Sequence, residues 1–348
     1  MRHGNSKLNG NLKTLQILRA VAATSVVYYH IGVVPVDAIP VFGSFGVDIF
    51  FVLSGFVMAL VISNGQTPTS FAINRVTRII PLYWILTTSV LILAALKPDL
   101  FNSTTANLTN YLKSILFIPY FKENGVLHPM LSVGWTLNYE MFFYFCMWIS
   151  IIFARKIYIL ITFTLLAASF LLLGNLATNS LLQDFFGNTI VFEFLLGIIA
   201  FKIYQTKSKP KVNSYILISI AVLSFSFMAY SETNGYDIAR FIAYGIPSVT
   251  LLLSVVALEK TNFIKNNSLA NLLAFIGDAS YATYLSHFYV VEGIRKIGFQ
   301  KFNIINPYTP LGVLVILFLS LLAGHILYVI LDKPLSKYFK QKLQSKLT

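Results

Sequence analysis

Arg19 and His30 stand eleven positions apart in one apolar run. Eleven residues are about three helical turns, so both project from the same face, roughly 16 Å apart in height. An ionisable group at membrane depth costs about 2.5–3.5 kcal/mol on insertion scales, so it turns toward the protein interior and is a site candidate by default. The bland alternative is a snorkelling arginine and a hydrogen-bonded interfacial histidine. Asp48 sits in Gly-Val-Asp-Ile-Phe-Phe-Val-Leu-Ser-Gly-Phe, with Gly55 on its face as a close helix contact. Arg75 and Arg78 are three apart, share a helical face, and together form a fork for phosphate oxygens. Glu140 follows Gly-Trp-Thr-Leu-Asn-Tyr, and Glu193 lies in Phe-Glu-Phe-Leu-Leu-Gly. His287 closes Gly-Asp-Ala-Ser-Tyr-Ala-Thr-Tyr-Leu-Ser-His, where Ser280, Tyr284 and His287 share a face. Histidine suits proton transfer near neutral pH, carboxylates suit its orientation, and paired guanidiniums suit an anionic ligand. His325 and Asp332 read as structural.

These residues must be held by membrane helices. The 348 residues are 56% hydrophobic and 11% charged, with a mean hydropathy of +0.72. A soluble domain carries nearer a quarter charged residues, and a chain this apolar lacks the polar surface to cover itself in water. The periodicity predicts spans at 12–34, 45–63, 79–97, 134–153, 157–177, 186–204, 212–230, 238–258, 272–294 and 308–331. The chain reads as an all-α polytopic bundle of about ten transmembrane helices and one domain over 1–348. Residues 12–334 form its membrane core and 335–348 a basic tail suited to anionic lipid. The net charge of +13 does not point to nucleic acid, because the cations sit in short loops. One cysteine, Cys146, excludes a disulfide framework within the chain, and five scattered histidines show no metal-ligand spacing. The first apolar run lacks a convincing cleavage site and is expected to be retained.

Loop charge sets the expected orientation. One set of loops holds Arg2, Lys7 and Lys13; Arg75 and Arg78; Arg155 and Lys156; Lys202, Lys207, Lys209 and Lys211; Lys260 and Lys265; and Lys333, Lys337, Lys340, Lys342 and Lys346. The other set is poorer: Lys97, Lys113, Lys122, Arg240, Arg295, Lys296 and Lys301. The positive-inside rule then puts the first set, and both termini, in the cytoplasm. Helix direction in turn sends His30, Asp48, Glu140, Glu193 and His287 to the outer leaflet. Arg75 and Arg78 fall on the opposite face, with Pro81 kinking the start of their helix. The longest outer connection, 98–133, carries an amphipathic piece near 108–118 that lies on the membrane or dips into it.

Five segments, in order, resemble the membrane acyltransferase-3 family. They are Leu18-Arg19-Ala20 through His30, Gly46 to Phe56, Arg75 to Trp84, Trp135-Thr136-Leu137 with Glu140 and Phe143-Tyr144, and Gly277 to His287. Together they span nearly the whole chain, 15 to 334. Pro-Leu-Tyr-Trp and Gly245-Ile246-Pro247-Ser248 look most like the branch that decorates exopolysaccharide or O-antigen. The ending appears as Tyr328, Asp332 and Pro334, with aspartate where glutamate is more usual. Some relatives carry a further C-terminal esterase-like domain, and the expectation is that this chain has none. The resemblance implies an acyl-CoA, usually acetyl-CoA, as co-substrate, no tightly bound cofactor or metal, and a glycan or lipid-linked glycan as acceptor. It implies a place in the inner membrane; oligomeric state is not legible.

The weak party in such a transfer is the sugar hydroxyl, which must lose a proton as it attacks. His30 is the expected base, with Asp48 or Glu140 orienting it and His287 in the same catalytic group. Arg75 and Arg78 would hold coenzyme A phosphates, and Arg19 would line the path of the pantetheine arm or polarise the thioester carbonyl. Tyr83 is placed on the donor side with them, its alternative being a belt aromatic. A covalent acyl-histidine or acyl-tyrosine relay is equally consistent with these residues. The runner-up class is a secondary transporter or glycan-lipid flippase, since intramembrane charges also serve proton coupling. Its mark would be an inverted repeat of halves, which is not visible here.

Overall fold

The computed structural model describes residues 12–32, 40–101, 103–206, 212–235, 239–261, 263–264 and 267–346. Of the loop charges above, Arg2, Lys7, Lys207, Lys209, Lys211 and Lys265 lie outside these residues, as do the outer end of the 12–34 span and the start of the 238–258 span. Among the described residues the chain is all helical, without a strand. The helices are α1 Lys13–Gly32, α2 Gly46–Ser63, α3 Pro68–Leu96, α4 Leu108–Ile115, α5 Trp135–Ala154, α6 Tyr158–Ala168 and α7 Ser180–Phe186. They continue as α8 Val191–Thr206, α9 Ser214–Thr233, α10 Ile246–Leu258, α11 Ser268–Asp278, α12 Ser280–Gly293, α13 Pro310–Leu327 and α14 Lys333–Ser345.

Each of the ten expected segments contains a helix. Among the described residues, seven stretches are long and apolar enough to cross a membrane: Gly46–Ser63, Pro68–Leu96, Ser132–Asn175, Ser180–Thr206, Ser214–Thr233, Phe241–Leu258 and Pro310–Ser345. The longest of them folds back on itself at Arg155–Ile157, where the Thr162 hydroxyl donates to Ser150 Oγ at 2.9 Å. The chain is an integral, multi-pass membrane protein. Helices α1 and α12, which carry the histidines, are not among the seven.

Short polar side chains start the helices by accepting orphan amide N–H groups. Thr67 accepts from Ser70, Asn107 from Asn110, Asn213 from Tyr215 and Thr309 from Gly312. Acids serve the buried starts: Glu259 accepts from Thr14 N at 2.9 Å, and Glu232 from Gly43 N at 2.7 Å, just ahead of α2. Helices α2 and α8 cross closely at Gly55 and Gly197. A Cβ on either glycine would penetrate the backbone of the other helix, at Phe194 and Val52 respectively. The bland reading of Gly55 is therefore the one observed.

Helix α3 differs from expectation. It begins at Pro68, not near 79, because Pro68 follows the Thr67 cap and no breaker intervenes. Arg75 and Arg78 therefore lie about two and three turns inside it, and Pro81 is internal. The amphipathic piece is α4, packed on α3. Tyr83 and Trp84 donate to the carbonyls of Ser114 and Ile115, while Leu108, Leu112 and Leu116 face outward.

Candidate active site

Helices α1, α2, α3, α5 and α12 enclose a cavity of about 100 Å³. Its charged lining is Arg19, Arg75, Arg78 and Glu140; Ser54, Tyr144, Tyr281 and Tyr284 add hydroxyls. Arg78 pairs with Asp332 at 2.5 Å and lies over the Tyr281 ring at 4.9 Å. Arg75 lies over the Tyr144 ring at 5.8 Å, and its Nε is buried without a hydrogen-bond partner. Arg19 makes one side-chain hydrogen bond among the described residues, from Nη1 to Gln16 Oε1 at 3.2 Å. Glu140 accepts from Ser54 Oγ at 2.9 Å and from the Tyr144 hydroxyl. Three guanidiniums thus share a small volume with one lining carboxylate and with Asp332 behind Arg78. Such a site attracts an anion.

The placement of Glu140 corrects the leaflet assignment. Depth along α5 had grouped it with the histidines, opposite Arg75 and Arg78. Instead it lines the same cavity as both arginines. The reason is the early start of α3, which carries the arginines deeper than an edge position would.

His30 and His287 come together just beyond this cavity. His287 is fully buried, with Nδ1 at 2.7 Å from Tyr284 O, and its Nε2 lies 3.2 Å from His30 Nδ1. His30 Nδ1 is also 2.9 Å from Val26 O. A carbonyl only accepts, so each histidine carries its proton on Nδ1 when neutral. His30 Nδ1–H then points at both Val26 O and the His287 Nε2 lone pair. His30 Nε2 keeps a free lone pair, with no hydrogen-bond partner among the described residues. Arg295 donates to the His30 backbone carbonyl at 3.3 Å and pairs with Glu292 at 2.5 Å. Tyr284, one turn before His287, separates the pair from the arginine cavity. Its hydroxyl lies 2.8 Å from Thr136 Oγ1 and donates to Val133 O at 2.9 Å.

Two expected site residues are not brought in. Asp48 is fully buried and its oxygens are taken by Arg240, at 2.6 and 2.9 Å. It makes no hydrogen bond to His30, and nor does Glu140, so neither carboxylate orients that ring here. Glu193, also fully buried, lies beside Asp48. Tyr83 is buried against Phe117 with ring centroids 4.9 Å apart, and does not line the cavity. His325 lies tilted against Phe275 with ring centroids 4.1 Å apart, and its Nδ1 is buried without a hydrogen-bond partner among the described residues.

Several participants escaped the sequence reading. Tyr144 is four residues after Glu140, a helical spacing that was legible. Arg240 as the partner of Asp48, and Asp332 as the partner of Arg78, are separated from them by 192 and 254 residues. No sequence signal joins such pairs. Among the described residues no group of histidine, cysteine and acidic side chains is arranged to hold a metal.

The family model described as an acyltransferase domain matches residues 12–329. The exopolysaccharide production protein ExoZ of Rhizobium meliloti (strain 1021) is 28% identical over 300 residues, covering 84% of this chain and 89% of that protein. "Putative O-acetyltransferase SACOL0978" of Staphylococcus aureus (strain COL) is 28% identical over 313 residues, covering 80% of this chain. The match takes in 50% of that relative's length, so this chain corresponds to about half of it. "Putative acetyltransferase ORF330" of Acidianus two-tailed virus is 25% identical over 320 residues, covering 86% of this chain and 88% of that protein. No solved structure matches the chain. With a cluster of arginines beside a histidine pair inside a bundle of apolar helices, and a family match across almost its whole length, the chain belongs to the acyltransferase-3 family of membrane acyltransferases.

Proposed function

We propose that the protein is an O-acyltransferase of the inner membrane. It moves an acyl group, by this reading acetyl, from cytoplasmic acyl-CoA to a hydroxyl of a cell-surface glycan or its lipid-linked precursor. The bundle would cross the membrane ten times with both termini in the cytoplasm, as loop charge implies. One observation carries the reading: an anion-seeking arginine cavity lies across Tyr284 from a histidine whose Nε2 lone pair is free.

Arg75 and Arg19 offer unpaired donors to the phosphates and to the arm of coenzyme A. The free Nε2 of His30 takes the proton of the sugar hydroxyl as its oxygen attacks the thioester carbonyl carbon. The new C–O bond forms and the C–S bond breaks. The thiolate recovers the proton from His30, leaving ester and free coenzyme A. His287 Nε2 accepts from His30 Nδ1–H throughout, the orienting role a carboxylate plays in other triads. Tyr284 stands between the two compartments, so the arm reaches His30 only when this ring turns aside.

The test is twofold. Purified protein should hydrolyse acetyl-CoA slowly without acceptor. Mass spectrometry of surface glycan should show O-acetyl groups that disappear when the gene is deleted. Absence of both refutes the reading. A reporter fused after Thr348 should be active only in the cytoplasm and one inserted near Asn107 only outside; reports from the same side would refute the ten-span topology.

A further inference from the structure

A second cavity, of about 240 Å³, lies across α5 from the arginine site. The first turns of α5 form the shared wall. Thr136, Leu137 and Glu140 face the arginine cavity, while Trp135, Asn138 and Tyr139 face the second. The rest of its lining comes from the segment before α5, with His128, and from α7 and the turn after it, with Asp184, Phe185 and Asn188.

The lining has two kinds of surface. Aromatic faces supply the first. Trp135 stacks on His128 with centroids 6.0 Å apart, and Tyr139 on Phe185 at 4.4 Å. Amphipathic rings of this kind offer large rigid area with little entropy to lose. Unused hydrogen-bonding groups supply the second. Asn138 is 6% exposed, yet its Oδ1 has no hydrogen-bond partner. A buried amide oxygen left without a donor costs about 1–3 kcal/mol, so a ligand that turns the Asn138 amide toward the cavity and supplies a donor recovers that cost. Asp184 is exposed, makes no hydrogen bond or ion pair among the described residues, and is the one formally charged side chain lining the cavity.

The approach to the cavity is held in place. Lys122 is buried and donates to Thr104 Oγ1 at 2.6 Å, Ser132 Oγ at 3.0 Å and Met130 O at 3.4 Å, tying both ends of the segment that carries His128. Burial, with Lys122 and His30 near by, pushes the His128 imidazole down to about 4. His128 is therefore neutral near pH 7, able both to donate and to accept.

We propose that this cavity is the acceptor subsite: it binds one pyranose ring of the glycan, its C–H face on Trp135 and its hydroxyls on Asn138 and Asp184. This rests on the transferase reading above and names the acceptor side of it. The cavity is smaller than the roughly 300–1,000 Å³ of drug-sized pockets, which fits a single ring better than an extended chain. The lone carboxylate accepts from hydroxyls and repels a uronate, so the ring is a neutral or amino sugar. Apolar lipid is the poorer fit, because it would leave Asn138 Oδ1 unsatisfied.

The experiment uses the full chain in nanodiscs and a defined probe: oligosaccharide fragments, stripped of O-acyl groups, from the surface glycan of cells lacking the gene. Two variants serve. Asp184→Asn alters an exposed side chain, and Asn138→Leu keeps the volume but removes the unpaired oxygen. The expected result is a rise of at least tenfold in the acceptor KM for each, while the KM for acetyl-CoA moves less than twofold. Saturation-transfer contacts between wild-type protein and fragments should weaken in both variants. An unchanged acceptor KM overturns the subsite, as does a parallel rise in both KM values, which would mark a general distortion. If wild-type protein contacts the fragments through these residues but transfers nothing, the subsite stands and the transferase reading falls. If it neither contacts nor acylates them, both fall. A purely structural Asn138 predicts a Leu variant of equal or greater stability with normal acceptor KM.

Discussion

Replacing His30 by glutamine separates chemistry from packing. The side chain makes two hydrogen bonds, to Val26 O at 2.9 Å and to His287 Nε2 at 3.2 Å. Each neutral bond contributes about 1 kcal/mol net, and glutamine can restore one of them. The Arg295 contact falls on the backbone carbonyl of His30 and survives any substitution. The fold should therefore lose at most ~2 kcal/mol of its stability. The loss of a general base is larger, about 10²–10⁴-fold in rate or ~2.7–5.5 kcal/mol in the barrier. The assay is transfer of labelled acetyl from acetyl-CoA to glycan fragments in proteoliposomes, with donor binding measured calorimetrically alongside. We expect at least a 10²-fold drop in transfer and near-normal donor affinity, because the arginines occupy a separate compartment. His287→Asn should cost about 10- to 150-fold, the worth of one hydrogen bond to a charged group, ~1.5–3 kcal/mol. Because His287 acts through His30, the double variant should be no slower than His30→Gln alone. A stable His30→Gln protein that acylates at the normal rate would sink the catalytic role, and strictly multiplicative losses would sink the relay.

Arg75→Ala should weaken acetyl-CoA binding by about 10- to 150-fold, from the ~1.5–3 kcal/mol of a charge-assisted contact, with little change in the thermal midpoint; normal affinity in calorimetry would refute the donor assignment. Arg78→Ala should behave differently, because it strands the buried Asp332. Breaking a buried pair costs about 3–5 kcal/mol, and the partial exposure of Arg78 places the loss at the lower end. Adding Asp332→Asn should restore most of the thermal midpoint but not the donor affinity. The pH dependence of stability should carry a His128 contribution: its folded pKa, about 4, lies below the unfolded value near 6.5. Folded protein then binds fewer protons than unfolded, so stability is full above about 6.5 and declines as pH falls toward 4. Midpoints at pH 7.5 and 5.0 should differ less in His128→Asn than in wild type. Gly197→Leu should destabilise the fold by about 1–3 kcal/mol or more, read as a lower thermal midpoint, since its Cβ would strike the α2 backbone.

The chemistry-bearing residues were legible in the sequence because lipid is a selective solvent. A charge or imidazole in an apolar run must have a reason, and that argument isolated Arg19, His30, Asp48, Arg75, Arg78, Glu140 and His287 without reference to contacts. Helical periodicity likewise placed Arg19 above His30 on one face, and hydropathy located a helix in each of the ten segments. What one-dimensional depth could not provide was partnership. Asp48 and Arg240 meet across 192 residues and Arg78 and Asp332 across 254, so each pair was decided by how the helices pack. Pairing engages both Asp48 oxygens with Arg240 and sets Arg78 against Asp332, and of the three cavity arginines it leaves Arg75 with an unmet buried donor. The early start of α3 was decided by its Thr67-Pro68 cap, and with it the depth that brings Glu140 against the arginines. The histidine pair is tertiary in the same way. Residues 30 and 287 carry no mark of one another along the chain, and only the packing of α1 against α12 sets His287 Nε2 against His30 and leaves the other His30 nitrogen free to take a proton.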